Sequence, residues 1–124
     1  MPDRPRRPPA EKFIPLSPAV FEILLALCDE ERHGYGIMQE VARRSGGQTR
    51  LRAGTLYRAL ARLADDGLAE ESDERPAPDL DDERRRYYRL TDLGRRVVAA
   101  EVRRLAGLVR AARAKKALRG AEPA

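Results

Sequence analysis

The sequence has no tryptophan, one cysteine, one histidine and two phenylalanines in 124 residues. Each scarcity excludes something. A single cysteine forms neither an internal disulfide nor a cysteine-rich zinc site, and it fits a reducing cytoplasm. A single histidine rules out every two-histidine metal motif and leaves little for a catalytic triad. No apolar run approaches the roughly 18–20 residues of a membrane span. The N-terminus lacks the apolar core of a secretory signal, so no membrane partner is expected. A Gly-rich phosphate loop, a nucleophile–base pair and metal-ligand spacing are all missing, so neither an enzyme nor a bound cofactor is expected. Aromatics make up only 5% of the chain. So small a domain finds its apolar area sparingly, and a second copy of itself is a natural source of more.

What the chain does have is charge, and the charge is segregated. Charged residues are 36% of the total, with a net charge of +5 and 22 arginines against three lysines. Residues 33–62 hold six Arg and the single acid Glu40. Residues 65–83 hold ten acids and the single base Arg75, a balance of −9. Residues 84–89 then carry four Arg and no acid, and residues 101–124 are again basic at +5. Basic blocks of this kind suit a nucleic-acid partner, although a solvated face gives the same composition.

Periodicity orders the chain. Residues 1–12 carry four prolines and four bases without a repeat, and read as a disordered basic tail or an arm for phosphate contacts. Ser17-Pro18 opens a first helix, with Ser17 as its cap and Val20, Phe21, Leu24, Leu27 and Cys28 on its apolar stripe. Cys28 is therefore expected as a small core hydrophobe. Glu30 to His33 form a polar turn, in which His33 shapes the backbone. Gly34 opens a second helix, and Gly46-Gly47 end it where a left-handed cap belongs. A third helix from Ala53 to about Asp66 carries Leu56, Leu60 and Leu63 on one face, and Gly67 stops it. Residues 68–72 and 85–90 suit two antiparallel strands joined by an acidic, proline-containing loop at 73–83. Tyr87 and Tyr88 would then face opposite sides of the sheet. Thr91-Asp92 caps a final helix that is expected to reach at least Ala117.

The expected fold is thus mainly α with a small two-stranded β-wing. It is a winged helix-turn-helix over residues 13–92, followed by a long C-terminal dimerisation helix over 91–118 and a disordered end at 119–124. The dimer reading rests on Val98, Val102, Leu105, Val109 and Ala112, which step by 4, 3, 4 and 3 as a heptad seam does. The alternative is a helix packed back on its own domain.

A helix-turn-helix lays its second helix in the major groove, with a polar face toward DNA and an apolar face toward the core. The third helix meets both demands. Arg58 and Arg62 lie four apart, so they share a face away from the leucines. Such an arginine either forks onto guanine or clamps a phosphate. Arg84, Arg85 and Arg86 stand where the loop re-enters the wing, a place for backbone contacts or for a strand edge protected by charge.

The segment His33-Gly34-Tyr35-Gly36-Ile37, the block Gly54-Thr55-Leu56-Tyr57-Arg58 and the block Arg86-Tyr87-Tyr88-Arg89-Leu90-Thr91 occur together and in order. In this the chain resembles the PadR-like family of winged helix-turn-helix transcriptional regulators, in its short form with a single C-terminal dimerisation helix. The likeness covers about residues 16–112. It implies a cytoplasmic homodimer that binds double-stranded operator DNA as a repressor, in a family where many members are released by a small-molecule effector. It places Gly54, Thr55 and Tyr57 at the start of the recognition helix, with Tyr35 at the start of the helix before it. Tyr57 and Tyr35 either touch the DNA backbone or only pack. Where family members often have a serine-like cap, this chain has Arg52-Ala53, which gives up a side-chain cap and gains a cation. The acidic loop is the other departure. Asp79, Asp81 and Asp82 lack the glycine of a calcium loop, and no metal is expected there. The second functional reading is a protein-interaction module that uses the acidic wing and the dimer helix without sequence-specific DNA binding.

Overall fold

Ser17 does cap the first helix: its hydroxyl accepts from the Val20 N–H at 3.2 Å, and Pro18 takes the first helical position. The computed structural model describes residues 9–72 and 86–120. Helix α1 runs Pro18–Ala26 and buries Ile23, Leu24 and Ala26. It ends sooner than its apolar stripe implies. Leu27 closes it and stays buried, while Cys28 has already left the helix and is exposed. The expectation of a core cysteine is therefore corrected. Partial desolvation, reinforced by Asp29, still pushes its thiol pKa upward.

The expected polar turn contains a strand. Arg32–His33 form β1, paired antiparallel to β3 (Tyr87–Leu90), which also pairs antiparallel with β2 (Ala69–Glu71). The sheet has three strands in the order β1-β3-β2, where two were expected. Two residues are too few to show alternation, so only the partner strand defines β1. Helix α2 (Gly34–Arg44) starts on His33, whose Nδ1 accepts from the Gly36 N–H at 2.9 Å. The single histidine thus shapes its turn, as expected. Gly46 and Gly47 follow α2 with φ of 65° and 86°, the left-handed region that glycine occupies without strain. Helix α3 runs Ala53–Asp65 with Leu56, Leu60 and Leu63 buried, as its spacing requires.

Helix α4 (Asp92–Arg113) is fixed at its root. Thr91 Oγ1 accepts from the Gly94 N–H at 2.9 Å, and the same hydroxyl donates to the Gly67 carbonyl. Gly94 passes so close to the chain that a Cβ there would lie 2.0 Å from the Leu68 carbonyl oxygen. The helix stops at Arg113, short of Ala117, and only a 3-10 turn at Lys116–Leu118 follows. Past Ala112 every described residue is exposed, so no packing sustains the helix.

The other correction is at the N-terminus. Ala10–Phe13 form a 3-10 helix packed on α4, and Ala10 is buried. Residues 9–12 are therefore part of the fold, not of a tail; residues 1–8 and 121–124 lie outside the described residues. This N-terminal strap is tied down by Glu101, which is 1% exposed. Its Oε2 accepts from the Leu16 N–H at 2.8 Å, and Arg104 donates to its two oxygens at 2.6 and 3.0 Å. The Arg104 hydrogen bond holds the Glu101 carboxyl below its ordinary pKa, against the opposing effect of burial.

Candidate nucleic-acid interface

The turn between α2 and α3 is built by backbone and by one hydroxyl. Gly47 N–H donates to Ala42 O at 2.7 Å, and Ser45 Oγ accepts from Thr49 N–H at 2.9 Å. These bonds hold the start of α3 at the surface. Arg52 is the N-cap of α3 and makes no side-chain cap bond. The amides of the first turn of α3 therefore keep their unpaired positive ends beside an exposed cation. Gly54 and Thr55, both exposed, occupy that turn.

Arg58 folds back over the same turn. A Cβ placed on Gly54 would sit 3.4 Å from an Arg58 guanidinium nitrogen, so the missing side chain leaves room for it. Arg62 follows one turn later and is exposed. The structure thus brings Arg52, Gly54, Thr55, Arg58 and Arg62 to one helix with its positive end outward. Tyr57 is turned inward. A Cβ on Gly34 would lie 2.4 Å from its hydroxyl, so the ring packs over the start of α2 and locks α3 to it. Tyr35, 58% exposed, stands beside that contact. Its ring lies 6.5 Å from the His33 ring, which also meets Tyr87 edge-on at 5.3 Å. Tyr87 and Tyr88 are both half-buried, and of the two it is Tyr88 that packs against the core, while Tyr87 lies against His33.

The ion pairs separate the arginines into two groups. Arg32 reaches Asp29 and Glu30, and Arg43 reaches Glu40. Arg44 reaches Glu22 at 2.8 Å, and Arg89 reaches Glu70 and Glu31. Arg86, expected to face DNA, spends its guanidinium on Glu71 of the neighbouring strand at 3.1 Å. Arg84 and Arg85 lie outside the described residues, as does the acidic loop with Asp79, Asp81 and Asp82. Among the described residues, Arg50, Arg52, Arg58 and Arg62 around α3 have no carboxylate partner, and neither do Arg95, Arg103, Arg110 and Arg119 on and after α4. Arg50 was counted in the basic block but not singled out as a contact. Its place in the turn just before the recognition helix was the available signal.

The heptad seam divides as well. Val98 is buried in the chain's own core at 7% exposure. Val102 and Val109 are about half exposed, at 47% and 48%, and Leu105 and Ala112 are half-buried. Leu108, which the stepping rule passed over, is 55% exposed. None of the described helices is long and apolar enough to cross a membrane.

Comparison with known proteins gives a consistent result. The family model described as "Transcriptional regulator PadR-like family" matches residues 23–100. An uncharacterized protein of Lysinibacillus sphaericus is 34% identical over 74 residues, which are 59% of this chain and 64% of that protein's length. A complex structure of RosR from H. salinarum superposes with a TM-score of 0.63 at 26% identity, covering 79% of this chain and 77% of that one. Bacillus subtilis PadR in complex with operator DNA superposes with a TM-score of 0.60 at 23% identity, covering 71% of this chain and 48% of that one. The last shares the fold.

Proposed function

The chain belongs to the PadR-like family, whose members are transcription regulators and not enzymes, and from that premise we propose that it is a dimeric repressor that binds operator DNA through α3. The observation that carries this reading is the row of exposed arginines without carboxylate partners along α3, from Arg50 and Arg52 at its positive end through Arg58 to Arg62 in its last turn. A solvated surface arginine gains little from a nearby acid; here Asp29, Glu40, Glu22, Glu71 and Glu70 pair with Arg32, Arg43, Arg44, Arg86 and Arg89, while among the described residues the arginines of α3 pair with none. Arg52, Arg58, Arg62, Gly54 and Thr55 are the proposed DNA contacts, with Tyr35 beside them and Arg50 added. Tyr57 supports the helix from behind. Arg84 and Arg85 remain proposals from the sequence, and Arg86 would exchange Glu71 for a phosphate. The operator DNA bound by Bacillus subtilis PadR supports the same partner for this chain.

The dimer surface is the exposed side of α4, Val102, Leu105, Val109 and Ala112, extended by Leu108; Val98 lies at its inner margin. Apolar exposure of this extent on one helix is what a second copy would cover. Two α3 helices would then meet successive turns of the DNA major groove. In this reading the protein works in the cytoplasm and responds to a small-molecule effector. The test is titration of the protein against its own promoter DNA at several salt concentrations. Promoter affinity that falls steeply with salt and exceeds affinity for random DNA supports the proposal; salt-independent or indiscriminate binding contradicts it.

A further inference from the structure

Backbone ties are few where the wing leaves the sheet. β1 contributes two residues and β2 three. The last described backbone bond before the wing runs from the Ser72 N–H to the Tyr87 carbonyl at 2.8 Å. So small a sheet fixes the direction of a wing only weakly through its ladder. Side chains supply a further tie. Glu31, in the turn between α1 and β1, turns one carboxylate toward both legs of the wing. Its Oε2 accepts from the Ser72 hydroxyl at 2.9 Å, and its Oε1 lies 3.6 Å from the Arg89 guanidinium on β3. Arg89 Nε in turn donates to Glu70 on β2 at 2.9 Å, which closes a clasp across the sheet.

Ser72 is only 7% exposed, so the clasp sits inside the root of the wing. Glu31 and Arg89 are both part-exposed, and an ion pair of that kind contributes little to stability. Its contribution is geometric. Glu31 is two residues before His33, which meets Tyr87 edge-on and caps α2. The next residue, Gly34, carries the Tyr57 ring that locks α3 to α2. Residues 31–34 therefore join the mouth of the wing to the helix proposed to read DNA.

We propose that Glu31 is a positioning residue for DNA binding. It holds the wing at a fixed angle to α3, so that Arg86, with Arg84 and Arg85, reaches the backbone of a duplex already engaged by Arg58 and Arg62. Without the clasp the wing has to be ordered at the moment of binding, which lowers affinity. This proposal rests on the DNA-binding reading above.

The test is a mutant cycle read by promoter affinity at fixed salt. Glu31→Ala weakens promoter binding by about tenfold. It has no further effect in the Arg84→Ala, Arg85→Ala, Arg86→Ala chain, whose wing has lost the groups to be positioned. It keeps its full effect in the Arg58→Ala, Arg62→Ala chain. Hydroxyl-radical footprints separate positioning from stability. Glu31→Ala loses protection at the sites that the wing triple variant also loses, and keeps the protection that depends on Arg58 and Arg62. Ser72→Ala leaves both ions in place and gives the same footprint, so it decides the matter by the same criteria if Glu31→Ala does not fold. The proposal is overturned if neither variant changes promoter affinity, if Glu31→Ala costs as much in the wing triple variant, or if the lost protection falls on the α3 contacts. If the original chain shows no salt-dependent promoter binding, the DNA reading fails and this proposal with it. If the original chain binds and the variants bind equally well, the positioning role alone fails.

Discussion

The root of α4 and the face of α3 handle polar groups in opposite ways. At the root, each polar group described above meets a partner within the fold. Thr91 satisfies Gly94 and Gly67, and Glu101 is shared by Leu16 and Arg104. On α3, Arg52 caps nothing, the first amides have no side-chain acceptor, and Arg58 and Arg62 have no acid. A polar group completed internally contributes to stability, whereas one left open is available to a partner. The root therefore holds the molecule together, and the α3 face is the side proposed to meet DNA.

That contrast breaks most visibly at Gly94. Gly94→Ala forces a methyl group into the Leu68 carbonyl, which is backbone and cannot step aside. It should cost about 3 kcal/mol of stability or more, read by denaturant unfolding. The fraction that stays folded should keep its promoter affinity and salt slope. Gly34→Ala is a useful contrast, because its nearest neighbour is the Tyr57 side chain, which can swing away. It should cost less stability but disturb promoter binding more.

Glu101→Gln is next, at about 2 kcal/mol, since it replaces a charge-assisted acceptor with a neutral one. Its pH dependence sharpens the comparison. The folded pKa of Glu101 is lowered below 4.5 by Arg104, so its contribution is complete above that value. It is lost as pH falls through the lowered value. Acid unfolding curves of the original chain and Glu101→Gln should therefore converge below about pH 4.5 and separate above it. Curves that stay parallel to low pH would remove Glu101 from the account.

His33→Ala should cost about 1 kcal/mol through the lost cap on Gly36, measured as a lowered unfolding midpoint. Smallest is Arg44→Ala, which breaks a surface pair with Glu22. It should cost under about 1 kcal/mol, an effect further reduced in high salt, and leave DNA binding alone.

Most of the helical frame could be read from the sequence because its signals are local. Ser17 and Thr91 are caps, Gly46, Gly47 and Gly67 are left-handed stops, and the leucines of α3 repeat at helical spacing. What escaped depends on partners distant in sequence. β1 exists because β3 is beside it. Glu101 reads as one more solvated acid until the strap 85 residues earlier closes over it. The strap itself was hidden by a proline-rich composition that usually accompanies disorder. The same limit applied at the site. The arginines of α3 were legible from position alone, but which arginines already had acids was not. Arg86 pairs with Glu71 across a strand register that only the folded sheet defines.

The central claim is that the open arginines of α3 serve DNA and the completed polar groups at the root of α4 serve the fold. The direct measurement is the salt dependence of promoter binding by the Arg58→Ala, Arg62→Ala double variant, with its unfolding free energy determined on the same preparation. The account predicts a slope of log affinity against log salt lowered by about 1.8 per protomer, with stability changed by no more than about 0.5 kcal/mol. An unchanged slope, or a loss of stability large enough to explain weaker binding, would contradict it.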